Sequence, residues 1–117
     1  MKSITESIIG RKGSRNIKRS LRNGDVVETR HGIYSIYIQN ENCFMTGFGP
    51  GRTICVANRI DQWGEDLISL KKPGDWDIVK IYRKPANKIF YRSSSFRELN
   101  EYVEWIRDNV KPIIINQ

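Results

Sequence analysis

Gly74-Asp75-Trp76-Asp77-Ile78-Val79-Lys80-Ile81-Tyr82-Arg83 is the stretch on which the fold turns. Its apolar residues fall on both faces of an extended chain. Val79 and Ile81 point one way, and Trp76, Ile78 and Tyr82 the other, because successive strand side chains alternate. A strand apolar on both sides is central and needs two covers. Several short strands precede it and one amphipathic helix follows it. The expectation is one face against a small, strongly bent sheet or barrel and the other under the helix.

Working outward toward the C-terminus, Pro85-Ala86-Asn87 reads as a turn and residues 88–92 as a last full strand. Ser95-Phe96-Arg97-Glu98 has the spacing of a capping box, and the helix behind it, 96–110, puts Phe96, Leu99, Tyr102, Val103, Ile106 and Val110 on one face. Pro112 ends it. Ile113-Ile114-Ile115 must then be paired or buried, at the sheet edge or on another subunit.

Working back, residues 26–30 and 33–39 read as strands around the turn Arg30-His31-Gly32, and 43–48 with 52–57 as a hairpin around Gly49-Pro50-Gly51. Residues 61–66 read as a loop or single helical turn carrying Trp63, 66–70 as a short strand, and Lys71-Lys72-Pro73-Gly74 as a turn. The whole is mainly β with some α, an α+β domain spanning 23–117. A basic N-terminal arm, 1–22, precedes it.

The chain of 117 residues carries a net charge of +7, and residues 1–22 account for most of it, with seven Lys or Arg against one acid. Arg11, Lys12, Arg15, Lys18, Arg19 and Arg22 are six cations in twelve positions with no acid between them. Each could neutralise one phosphate, which on duplex DNA corresponds to a log-log salt slope of about −5. The competing reading is a solvated, solubilising tail. Ser3 and Glu6 have capping-box spacing, and Ser14 could cap a short helix over 15–22 whose stripe is Ile17 and Leu21. So short a helix either docks through that stripe or orders with a partner.

Other motifs read as structural first. Gly47-Phe48-Gly49-Pro50-Gly51-Arg52 lacks the Lys-Ser or Lys-Thr pair and following helix of a phosphate loop and reads as a hairpin turn, with Arg52 a possible phosphate or carboxylate partner. Asp75 with Asp77, and Asp61 with Glu65 and Asp66, read as solvated acids rather than metal ligands. His31 has no recognisable catalytic company. Cys43 and Cys55 flank the hairpin turn nearly symmetrically, so they stand as thiols or as a facing pair. Tyr34, Tyr37, Phe44 and Phe48 fit either a core or an outward stacking surface. No cofactor or metal is implied.

Asn23-Gly24-Asp25-Val26-Val27, with Gly32 after the first strand, resembles the opening of SH3-like barrels, including the KOW type found in nucleic-acid-associated proteins. Together with Asp75-Trp76-Asp77-Ile78-Val79-Lys80-Ile81-Tyr82-Arg83 it also resembles a class of small proteins encoded by phages and prophages of Gram-positive bacteria. The likeness covers roughly residues 23–83. It implies a setting, the cytoplasm of a bacterial host, and a fold, but transfers no catalytic residues. The expectation is a non-enzymatic accessory protein, monomer or weak homodimer, without a membrane partner. It would bind RNA or DNA, or a nucleoprotein such as a guide-RNA-loaded nuclease, as anti-CRISPR inhibitors do. The alternative is a protein-interaction module or virion component acting through the barrel surface and the 113–115 tail.

Overall fold

The structure is a computed structural model that describes residues 17–48 and 56–116. Six strands form one antiparallel sheet: β1 Val26–Thr29, β2 Tyr34–Ile38, β3 Cys43–Phe48, β4 Val56–Arg59, β5 Ile78–Tyr82 and β6 Ile113–Ile114. In space they run β4-β3-β2-β1-β5-β6. The first four make a meander, and β5 returns to lie on the far side of β1. One helix, α1 Phe96–Asn109, follows β5. Over the described residues the chain is thus mainly β with one α-helix, and its sheet is open, with β4 and β6 as the two edges.

β5 is interior, paired with β1 on one side and β6 on the other, and four of its five residues are buried. Strict alternation fails within it. Val27 faces Ile81 and Glu28 faces Lys80, but Thr29 faces Ile78, so Val79 is the extra residue of a bulge. Side-chain parity reverses there. Ile78 joins Ile81 on one face instead of Tyr82 on the other, and the Val79 carbonyl accepts the Ile115 amide.

The Tyr82 face lies under α1, where Leu99, Tyr102, Val103 and Ile106 pack on Val26, Ile36, Ile38 and Met45. Ser95 starts the helix with the expected capping box, its Oγ accepting the Glu98 amide while Glu98 accepts the Ser95 amide. Phe96, at the first helical position, projects back off the helix start and stays exposed rather than joining the buried face. The opposite sheet face carries Val27, Tyr37, Phe44, Ile78 and Ile81. It is not covered by the sheet curling over itself. Ile17 and Leu21 from before β1, Trp63 and Leu67 from the β4-β5 connection, and Ile115 from after β6 cover it.

Three local expectations change. Residues 88–92 make no strand; they lie against α1 instead, with Lys88 over the Trp105 ring. Ile89 and Tyr91 stay exposed there, and Phe90 packs on Tyr102 at 5.2 Å. Residues 66–70 give only a single bridge, Trp63 to Ser69, since Leu67 adopts a left-handed φ of 65°. The 113–115 tail completes the protein's own sheet through β6, with Ile115 buried. Cys43 faces Arg59 across the β3-β4 pair, not Cys55; Cys55 lies outside the described residues, as does the strand start at 52–55.

Candidate functional site

The turn Asn23-Gly24-Asp25 sets the first surface. Gly24 has a φ of +89°; its amide donates to the Tyr37 carbonyl, and its own carbonyl accepts the Tyr102 hydroxyl. That double tether aims Asp25 into the interior, where it is 1% exposed. Its Oδ2 accepts the Arg22 amide at 2.9 Å and Arg83 Nη1 at 2.7 Å, and its Oδ1 accepts the Lys84 amide at 3.0 Å. Arg83 also donates to the Ser20 carbonyl at 2.6 Å and to Ser20 Oγ at 2.8 Å. One guanidinium therefore pins the N-terminal residues to the end of the central strand.

Arg22, Asn23, Asp25, Arg83, Lys84 and Ala86 line a cleft of about 350 Å³ at this junction. Three cations stand there against one carboxylate, so the cleft is net positive. Lys84 Nζ is held by the carbonyls of Pro85 and Lys88 at 3.1 and 2.7 Å. Arg22 is exposed and makes no ion pair among the described residues.

The basic run is thus divided. Lys18 is spent internally, its Nζ on the Trp63 carbonyl at 2.8 Å and its amide on the Glu65 carbonyl. Arg19 and Arg22 are exposed on a docked segment, because residues 17–20 form a 3-10 turn with Ile17 and Leu21 in the core. Arg11, Lys12, Arg15 and Arg52 lie outside the described residues, as do the Ser3 and Ser14 caps. Residues 18–22 consequently run from the Trp63 loop to the Arg83 end of β5.

At the Trp63 end is a second pocket, about 180 Å³, lined by Asn58, Gln62, Trp63, Ser69, Lys71, Lys72 and Trp76. A third groove, about 340 Å³, runs between residues 88–94 and α1. It carries Glu98 and Glu101, and Lys88 Nζ already sits over the Trp105 ring at 4.4 Å.

The remaining candidates are structural. Asp77 is buried rather than solvated; it accepts the Ser69 amide at 2.9 Å and stands 3.7 Å from Arg30. The His31 amide donates to the Asp75 carbonyl in an exposed turn. Among the described residues no three His, Cys, Asp or Glu side chains are grouped to hold a metal. Tyr37 and Phe44 are core, and Tyr34 packs half-buried on Tyr82. Burial pushes the Tyr34 and Tyr82 phenols up, and at Tyr82 the hydrogen bond to Glu28 adds to this. Sequence reasoning missed Arg83, Lys84 and the grouping of Trp76 with Lys71 and Lys72. The available signal was Asp25 itself, an acid next to two apolar strand residues, which calls for a cation.

The chain matches no family model, no curated protein and no solved structure. Among the described residues no helix is long and apolar enough to cross a membrane. Over the described residues, fold and site together define a class: an open, mainly β sheet with one α-helix and a cationic cleft where residues 20–25 meet the end of the central strand.

Proposed function

We propose that this chain is a non-enzymatic nucleic-acid-binding accessory protein of SH3-like build, acting on nucleic acid or on a nucleoprotein. The observation that carries the reading is the net-positive cleft where the exposed Arg22 stands beside Arg83 and Lys84, whose side chains are held by Asp25, Ser20 and backbone carbonyls. Cations held on fixed backbone grip phosphate without a large ordering cost, and phosphate contacts position rather than specify. The SH3-like assignment is supported by the meander β1 to β4 with β5 returning to β1. The resemblance to phage proteins supplies the setting, in which guide RNA bound to a host nuclease is one such polyanion.

The test is fluorescence anisotropy of the full chain, with Arg19→Gln and Arg22→Gln variants, against duplex and single-stranded probes over a salt series. Deleting residues 1–22 would remove Ile17 and Leu21 from the core, so charge substitutions are the clean probe. Each lost phosphate contact should lower the salt slope by about 0.9 on duplex and about 0.7 on single strands. Slopes identical to wild type in both variants would sink the reading.

A second reading, a protein-interaction module, is favoured by the exposed Ile89, Tyr91 and Trp105 around the α1 groove. It predicts a complex that survives high salt, because apolar burial is not screened.

A further inference from the structure

The pocket at the Trp63 loop is left unused by the cleft at Arg22. We propose that it takes a single unstacked nucleobase of a single-stranded nucleic acid, an inference that rests on the nucleic-acid reading above. Trp76 supplies the stacking wall. It is half-buried in the turn before β5, and its carbonyl accepts Trp63 Nε1 at 2.9 Å. Trp63 is in turn fixed edge-on against Phe44 at 5.0 Å and 87°. The backbone from which the Trp76 ring projects is therefore fixed, which lowers the cost of ordering that ring against a base.

Size and polarity agree. At about 180 Å³ the pocket is smaller than those that hold drug-sized ligands, which run from about 300 Å³, and suits one ring system. Two amides stand at its edge, and an amide offers both donor and acceptor to a base. Asn58 is oriented by its Nδ2 on Thr46 Oγ1 at 3.0 Å, whereas the Gln62 side chain makes no hydrogen bond among the described residues.

Charge points the same way. Lys71 and Lys72 are exposed and form no ion pair among the described residues, so both are available to the flanking phosphates. Of the nearby acids, Asp61 pairs with Arg59, Asp66 holds the Ile68 amide and Asp77 holds Ser69 and Arg30, whereas Glu65 and Asp75 are exposed and form no ion pair among the described residues. The Lys18 ammonium on the Trp63 carbonyl joins this pocket to the segment bearing Arg19 and Arg22. A strand anchored by its base at Trp76 would therefore pass along residues 18–22 to the cleft at Arg83.

The experiment titrates labelled oligouridylate and a sequence-matched duplex with the full chain and with Trp76→Ala, Trp76→Phe, Lys71→Gln and Lys72→Gln, over a salt series. Loss of one stacked base should weaken single-strand binding by roughly 5- to 150-fold in Trp76→Ala. Its salt slope and duplex affinity should stay as in wild type, and Trp76→Phe should recover most of the loss. Lys71→Gln and Lys72→Gln should lower the single-strand slope. If Trp76→Ala binds the single strand as wild type does while Arg22→Gln is impaired, the pocket inference fails and the broader reading stands. Equal losses on single strand and duplex in both Trp76 variants would mark a structural role and also overturn it. No binding to either probe by the wild type overturns both.

Discussion

Arg83 Nη1 lies 2.7 Å from Asp25 Oδ2, with the aspartate side chain 2% and the arginine side chain 30% exposed. The pair is unequal: one partner is sealed in, the other reaches water. Asp25→Ala leaves the Arg22 and Lys84 amides and the Arg83 guanidinium without their acceptor. Because Arg83 can turn outward, the expected loss is about 3 kcal/mol, at the low end for a broken buried pair. Urea unfolding measures it. A loss near zero would make the pair peripheral, as exposed ion pairs are.

Ile17→Ala and Leu21→Ala should each destabilise the whole domain by about 2–4 kcal/mol, because both side chains are buried in the core that faces away from α1. Single cooperative transitions with lowered midpoints are the expected result. Unaltered midpoints would mean that the basic segment is carried by the fold without supporting it.

Gly24→Ala and Gly32→Ala separate strain from crowding. Both glycines have positive φ, +89° and +88°, so both variants meet the left-handed penalty of about 1–2 kcal/mol. A Cβ at Gly24 would also stand 2.9 Å from Lys84 Cδ, 3.0 Å from the Tyr102 hydroxyl and 3.1 Å from Phe90 Cβ, whereas one at Gly32 meets nothing. Gly24→Ala should cost about 1–3 kcal/mol more. Equal thermal shifts would contradict the crowding.

Alkaline pH should unfold the domain through its tyrosines. Burial raises the Tyr34, Tyr37, Tyr82 and Tyr102 phenols above their ordinary value, aided at Tyr102 by the charge of Asp25. A folded pKa above the unfolded one gives stability that is complete below about pH 10 and lost as pH rises toward the folded values. Phenolate absorbance should therefore rise together with loss of circular dichroism. Reversible titration of Tyr34, Tyr37, Tyr82 and Tyr102 near pH 10 in a folded protein would refute this.

The strand β5, the meander before it and the capped helix after it are written locally, in alternation and cap spacing, and so were legible. The bulge at Val79 was not, because it exists only in the register against Glu28 and Thr29. Residues 88–92 have strand composition, but they pack on Tyr102 and Trp105 of α1, a tertiary contact that composition does not reveal. At the site, the exposed cations Arg19 and Arg22 were legible as charge. Their companions Arg83 and Lys84 sit about 60 positions further along the chain and meet Asp25 only through the β1-β5 pairing.

The placement of residues 113–115 on the outer flank of β5 also bears on how the protein is made. When a ribosome has released the chain as far as Tyr82, β5 can pair with β1 and Ile17, Leu21, Trp63 and Leu67 are present to cover the Ile78 face, but α1 does not yet exist to cover the Tyr82 face. At about 5–20 residues per second, the 24 positions from Tyr82 to Ile106 leave Val26, Ile36 and Tyr82 open to water for about 1–5 s. The core on the Trp63 side can begin to close first, with Ile115 the last residue to join it. Synthesis thus completes the α1 face late, and residues 113–115 add the edge strand β6 last of all.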